Sequence, residues 1–132
     1  MKTILVTGGT RGIGRAITEK LLSEGHKVFV VYRESIEQAD ELTEKYGDQV
    51  ATLQANLADK EQVSQLIENL KDIQFDGIVN NAGIVYLTKW EDSNFDEWEE
   101  TLAVNLTAPI KLVHGLRNNL KDGGAVVNIA SV

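Results

Sequence analysis

The feature that most constrains this chain is where its first glycines fall. An apolar run, Ile4 to Thr7, leads into Thr7-Gly8-Gly9-Thr10-Arg11-Gly12-Ile13-Gly14. That segment opens in turn onto an amphipathic stretch, Gly12 to Glu24, with Ile13, Ile17, Leu21 and Leu22 on one face and Gly25 as its stop. A strand that passes to a helix through glycines makes a tight turn, lets its backbone approach an anion and aims a helix N-terminus at it. Glycines often do no more than end a strand. Here the position between a first strand and an amphipathic helix favours a phosphate-binding loop.

The rest of the chain repeats the alternation. Val28 to Tyr32 is a second strand, apolar throughout as in a sheet covered on both faces. Ser35-Ile36-Glu37-Gln38 has the capping-box form and opens a helix that Gly47 ends. Val50 to Ala55 is strand three. Asp59-Lys60-Glu61-Gln62 repeats the capping pattern before a helix through Val63, Leu66, Ile67 and Leu70. Ile78 and Val79 centre strand four. A long helical region, with a break or kink, is expected from about Phe95 to Leu120, and strand five from Ala125 to Ala130. Such alternation implies right-handed crossovers and a parallel sheet. The expected fold is α/β, a doubly wound parallel sheet (Rossmann fold) of about five strands ordered 3-2-1-4-5, with residues 1–132 forming one domain.

Composition narrows the function classes. A net charge of −7, with scattered basic residues, argues against nucleic acid and anionic membranes as partners. No cysteine is present, which excludes a disulfide framework and a thiolate zinc site, and no metal is expected. The start reads as a strand rather than a secretory signal, and no apolar stretch is long enough to span a bilayer. A cytoplasmic location is the expectation.

Dinucleotide-binding folds of the NAD type place an acidic residue at the end of strand two, about twenty residues beyond the glycine loop, to accept the ribose hydroxyls. Tyr32 and Arg33 stand there in this chain. A guanidinium offers a planar fork of charged donors that suits a 2′-phosphate, and Arg11 adds a second positive charge. The expected cofactor is therefore NADP(H) rather than NAD. The other reading of Arg33 is a solvated loop arginine. Glu34 and Glu37 read as carboxylates at a helix start.

The spacing of Gly8, Gly12 and Gly14 has the form T-G-x-x-x-G-x-G, and Asn80-Asn81-Ala82-Gly83 follows strand four directly. Together these resemble the landmarks of the classical short-chain dehydrogenase/reductase family, in its N-terminal half, and the chain is similar to the 3-oxoacyl-acyl-carrier-protein reductases within it. The resemblance implies that Gly8, Thr10, Arg11, Gly12, Ile13 and Gly14 form the cofactor loop, with Tyr32 and Arg33 at the discriminating position. Asn56-Leu57 would frame the adenine, although many relatives carry aspartate first. Asn81, Ala82 and Gly83 would pack beside the adenosine ribose. Asn105 matches the catalytic asparagine, whose main chain anchors a proton-relay water in the family. Pro109, four residues on, has no N–H to offer the Asn105 carbonyl. Alternatively, Asn105 only caps a helix break. Ser131 matches the catalytic serine that hydrogen-bonds the substrate carbonyl.

The family's chemistry also needs a tyrosine acid with a lysine four residues later. Tyr32, Tyr46 and Tyr86 are followed at that spacing by Ile36, Val50 and Trp90. Lys89 stands three after Tyr86, in a variable loop, and reads as incidental. The chain has about half the family's usual length and stops two residues past strand five, so it is expected to be inactive alone. Three readings stay open: an NADPH-dependent reductase of a small carbonyl compound lacking its acid, a non-catalytic NADP-binding or interaction module, and an enzyme completed by a second chain. In each, the open apolar edge of strand five, with Val126, Val127 and Ile129, favours a homo-oligomer or pairing with another polypeptide.

Overall fold

Five apolar runs pair side by side, every pair parallel, to build one sheet ordered β3-β2-β1-β4-β5. The computed structural model describes residues 1–131. Its strands are β1 (Thr3–Thr7), β2 (Lys27–Tyr32), β3 (Val50–Gln54), β4 (Phe75–Asn80) and β5 (Leu120–Asn128). Between them run the helices α1 (Gly12–Ser23), α2 (Ile36–Tyr46), α3 (Lys60–Leu70), α4 (Phe95–Leu102) and α5 (Ala108–Gly115). The strand order is the expected one.

The period of two along a strand explains the two cores. Leu5 of β1 joins Ile78, Phe75, Leu66, Leu112 and Leu116 on one face of the sheet. Its neighbours Ile4 and Val6 join Val28, Val30, Leu22 and Leu42 on the other. A central strand buried on both faces has no reason to alternate, which is why these runs read as continuous apolar segments.

Four local expectations need correction. The apolar pattern sets Ile13 on one face of α1 with Ile17, Leu21 and Leu22, but Ile13 is 67% exposed while Leu22 carries that face inward. Ser35 does stand at the N-cap of α2, yet no side-chain cap forms. Its hydroxyl meets that of Thr10 at 2.5 Å instead. By contrast Asp59 caps α3 as its sequence suggests, accepting from the backbone N–H groups of Glu61 and Gln62, and these bonds hold its carboxyl below the usual range.

The long helical region is interrupted and ends early. Residues Ala103–Thr107 form a π-turn, closed by the N–H of Ala108 donating to the Ala103 carbonyl five residues back. Pro109 explains the extra residue. Its ring and missing N–H disrupt a regular turn at the carbonyl four residues earlier, and a π-turn relieves the conflict. The helix then stops at Gly115 because Leu120 belongs to β5, opposite Phe75. Leu112, Leu116 and Leu120 keep a four-residue spacing, so apolar periodicity alone carries the helix too far. β5 also begins earlier than expected. Leu120 faces Phe75 and Ala125 faces Gly77, so β5 takes five steps where β4 takes two, and Gly123 turns the bulge at φ +80°.

Asn119, just before β5, was not singled out. It is buried, and its Nδ2 donates to the carbonyls of Leu70 (3.3 Å), Lys71 (2.5 Å) and Ile73 (2.9 Å). One amide thus binds the carbonyl of the last residue of α3 and two more in the turn that follows it. Asn119→Ala should lower stability by about 1–3 kcal/mol, seen as a reduced urea midpoint at unchanged slope. An unchanged midpoint would show that water satisfies these carbonyls equally well.

Candidate functional site

The carboxyl ends of β1 and β4 are tied together by four hydrogen bonds. The buried Thr7 hydroxyl accepts from the backbone N–H groups of Asn81 (3.1 Å) and Ala82 (3.0 Å). In return Asn81 Nδ2 donates to the carbonyls of Thr7 and Gly8, each at 3.1 Å. Gly14 closes the same knot. A methyl group there would lie 2.0 Å from the Gly8 carbonyl oxygen and 2.4 Å from Asn81 Nδ2, so only glycine fits. Gly14 and Ile13 do not line the cleft beside this knot: Gly14 is buried behind the loop and Ile13 points to solvent.

The cleft has a volume of about 410 Å³. Its walls bring together Gly8, Thr10, Arg11, Gly12, Tyr32, Arg33, Asn56, Leu57, Asn81, Ala82 and Gly83, all singled out from sequence. Val31, Ser35, Ala55, Ile84 and Val104 also line it and were missed, and Glu34, read as a helix-start carboxylate, stands on its wall ahead of α2 instead. A wider hollow, about 540 Å³, lies between α3 and the α4–α5 region, but none of the loop glycines reach it. Chemistry rather than size therefore places the candidate site in the smaller cleft.

The N-terminus of α1 opens onto this cleft without a side-chain cap. Arg11 is its N-cap, no side chain caps it, and no acidic residue stands in its first turn. Helices α3 and α4 differ, for Asp59 and Asn94 accept from their leading N–H groups. Uncapped N–H groups and the positive end of a helix dipole together suit an external anion.

Two positions carry intramolecular bonds that sequence could not reveal. Asn56 Oδ1 accepts from the N–H of Ala58 at 3.0 Å, so its side chain first shapes the turn after β3. Arg33 Nη1 donates to Glu100 Oε1 at 3.0 Å, and its Nε lies 3.8 Å from Glu34 Oε1. The Tyr86 hydroxyl donates to the other oxygen of Glu100. This bond, with the one from Arg33, holds the Glu100 carboxyl below its ordinary range, while the same carboxylate pushes the Tyr86 phenol up.

Asn105 sits in the π-turn, and its side chain engages Ile84 twice. Oδ1 accepts from the Ile84 N–H and Nδ2 donates to the Ile84 carbonyl, both at 2.8 Å. The side chain is thereby committed to positioning the segment after β4. Ser131 follows β5 at the same edge of the sheet, three residues beyond Asn128, which pairs with Asn80. Neither Asn105 nor Ser131 lines the cleft itself. Among the described residues no group of three or more His, Asp or Glu is placed to hold a metal ion, and no helix is long and apolar enough to cross a membrane.

A doubly wound parallel sheet with a glycine loop, an uncapped helix N-terminus and a cleft at its carboxyl edge defines the Rossmann class. Within that class the chain belongs to the short-chain dehydrogenase family, whose model matches residues 2–132. It is similar to the 3-oxoacyl-acyl-carrier-protein reductase FabG of Aquifex aeolicus, with 39% identity over 99% of this chain and 56% of that protein. Among solved structures it resembles a short chain dehydrogenase from Burkholderia cenocepacia in complex with NADP (TM-score 0.90, 34% identity, 98% of this chain and 55% of that one). It is equally similar to a blue fluorescent protein from a metagenomic library in complex with NADPH (TM-score 0.90, 32% identity, 98% and 56%). The chain spans about half the length of the curated relatives it matches.

Thr7 is the residue the sequence pattern underused: a polar side chain ending an apolar strand signals a backbone partner. Thr7→Val should orphan two N–H groups and destabilise by about 1–3 kcal/mol, whereas Thr7→Ser should stay near wild type. Equal urea midpoints for the two variants would remove the hydroxyl from the account.

Proposed function

We propose that residues 1–132 form an NADP(H)-binding Rossmann domain and supply the cofactor side of a reductase acting on small carbonyl compounds of the 3-oxoacyl type. The observation that carries this reading is the uncapped N-terminus of α1, facing a cleft whose rim holds Arg11 and Arg33. The cradle fits a dinucleotide: the Gly8–Gly14 contact leaves the loop backbone bare, and the α1 N–H groups receive the pyrophosphate. Arg33, with Arg11, takes the 2′-phosphate, beside Tyr32. Asn56 and Leu57 frame the adenine, and Asn81, Ala82 and Gly83 flank its ribose. NADPH, when bound, supplies the hydride for carbonyl reduction. Ser131 then hydrogen-bonds the substrate carbonyl, and Asn105 holds a relay water on its main chain.

The proton donor is not among these residues. No tyrosine here has a lysine four positions on, and Tyr86 is tied to Glu100 with its phenol pushed up, the reverse of an activated acid. Residues 1–132 alone are therefore expected to bind cofactor without turning over substrate. The presence of Asn105 and Ser131 at the matched positions favours the reductase reading over a pure binding module, which needs neither.

Fluorescence titration with NADPH and NADH tests the proposal. NADPH should bind more tightly than NADH, and Arg33→Ala should weaken NADPH by about 10- to 100-fold, as expected for a charged hydrogen-bonded partner. A folded chain that binds neither nucleotide ends the reading. We also propose that residues 1–132 self-associate, because Val126, Val127 and Ile129 of the β5 segment and Leu102, Leu106 and Ile110 of the α4–α5 region are exposed. Light scattering should give a mass above that of one chain, and a clean monomer at high concentration would contradict it.

A further inference from the structure

Arg33 is the residue on which a preference for a 2′-phosphate rests, yet it is already engaged. Glu100, sixty-seven residues away on α4, accepts from its Nη1 at 3.0 Å. Glu34 approaches the same guanidinium only to 3.8 Å. The two carboxylates differ in setting as well as distance. The Glu34 side chain is 84% exposed, whereas that of Glu100 is 25% exposed and is held from its other oxygen by the Tyr86 hydroxyl. A freely moving surface carboxylate is screened and contributes little. One fixed by a second hydrogen bond has less freedom left to lose and keeps its charge beside Arg33.

We propose that Glu100 is a specificity-determining residue, holding Arg33 at the rim of the cleft and competing with the nucleotide 2′-phosphate for its guanidinium. This rests on the NADPH reading of the cleft. A guanidinium has five N–H donors, so it can serve carboxylate and phosphate together, but the two anions then repel across it. The penalty falls on NADPH alone, because NADH brings no charge to that position. Glu100 therefore sets how far the chain prefers one nucleotide, without touching the reacting end of either.

Glu100→Gln is the informative change. It keeps an acceptor oxygen for Arg33 and removes the charge. Titrated side by side, NADPH should bind about two- to fivefold more tightly to the variant, with NADH unchanged, a gain of the size expected for a partly exposed ion pair. In an Arg33→Ala background the same change should give no comparable gain. Circular dichroism checks folding, and should Glu100→Gln not fold, Glu100→Ala carries the same expected sign at a helix position that tolerates alanine. Weaker NADPH binding, or equal shifts for both nucleotides, would make Glu100 a structural support and overturn the proposal. If the wild-type chain prefers NADPH but the ratio does not move in the variant, this inference alone fails. If the folded wild-type chain binds neither, the cofactor reading fails and takes this one with it.

Discussion

The missing side chain of Gly14 is the constraint on which the site depends. Because no Cβ stands there, the Gly8 carbonyl and the Asn81 amide can lie against the first turn of α1. That contact joins the exit of β1 to the exit of β4, and the Thr7 hydroxyl completes the joint from the other side. Asn105 extends it by holding Ile84, so the first residues after β4, from Asn81 to Ile84, are fastened at both ends. Hydrogen bonds aligned this way, in a partly buried setting, leave the glycine loop with one geometry rather than several.

Electrostatics then divide the helices by task. Asp59 and Asn94 satisfy the leading N–H groups of α3 and α4, and Glu37 places a negative charge in the first turn of α2. At α1 no side chain does so. In a protein of net charge −7, the cleft at that helix end gathers Arg11 and Arg33 on its walls, with Glu34 beside them. Glu34 and Glu100 moderate that local charge through Arg33.

The strands, their order and most of the cleft were legible in the sequence because they depend on short-range signals. Apolar runs between glycines marked the strands, and motif spacing marked the loop and the turn after β4. What escaped depends on partners far along the chain. Ser35 looks like a helix cap until Thr10, twenty-five residues earlier, reaches its hydroxyl. Asn119 looks like a surface turn residue until the end of α3 is folded against it. Glu100 is one of several acids on an exposed helix, and only the meeting of α4 with the end of β2 sets it on Arg33. The break near Pro109 was readable, since proline forbids one hydrogen bond, but its form as a π-turn was not.

That π-turn has a consequence for how its two flanking helices relate. One additional residue within a helical turn rotates everything after it by about 100° relative to a regular helix. Val104, Ala108, Leu112 and Leu116 are nevertheless all buried, on a four-residue spacing that a regular helix would let drift around its axis. The phase slip at Ala103–Thr107 lets α4 reach Arg33 through Glu100, and the turn itself reach Ile84 through Asn105, while α5 seats Gly115 against Ile67 of α3. The turn acts as a gear between two surfaces that one straight helix could not serve together.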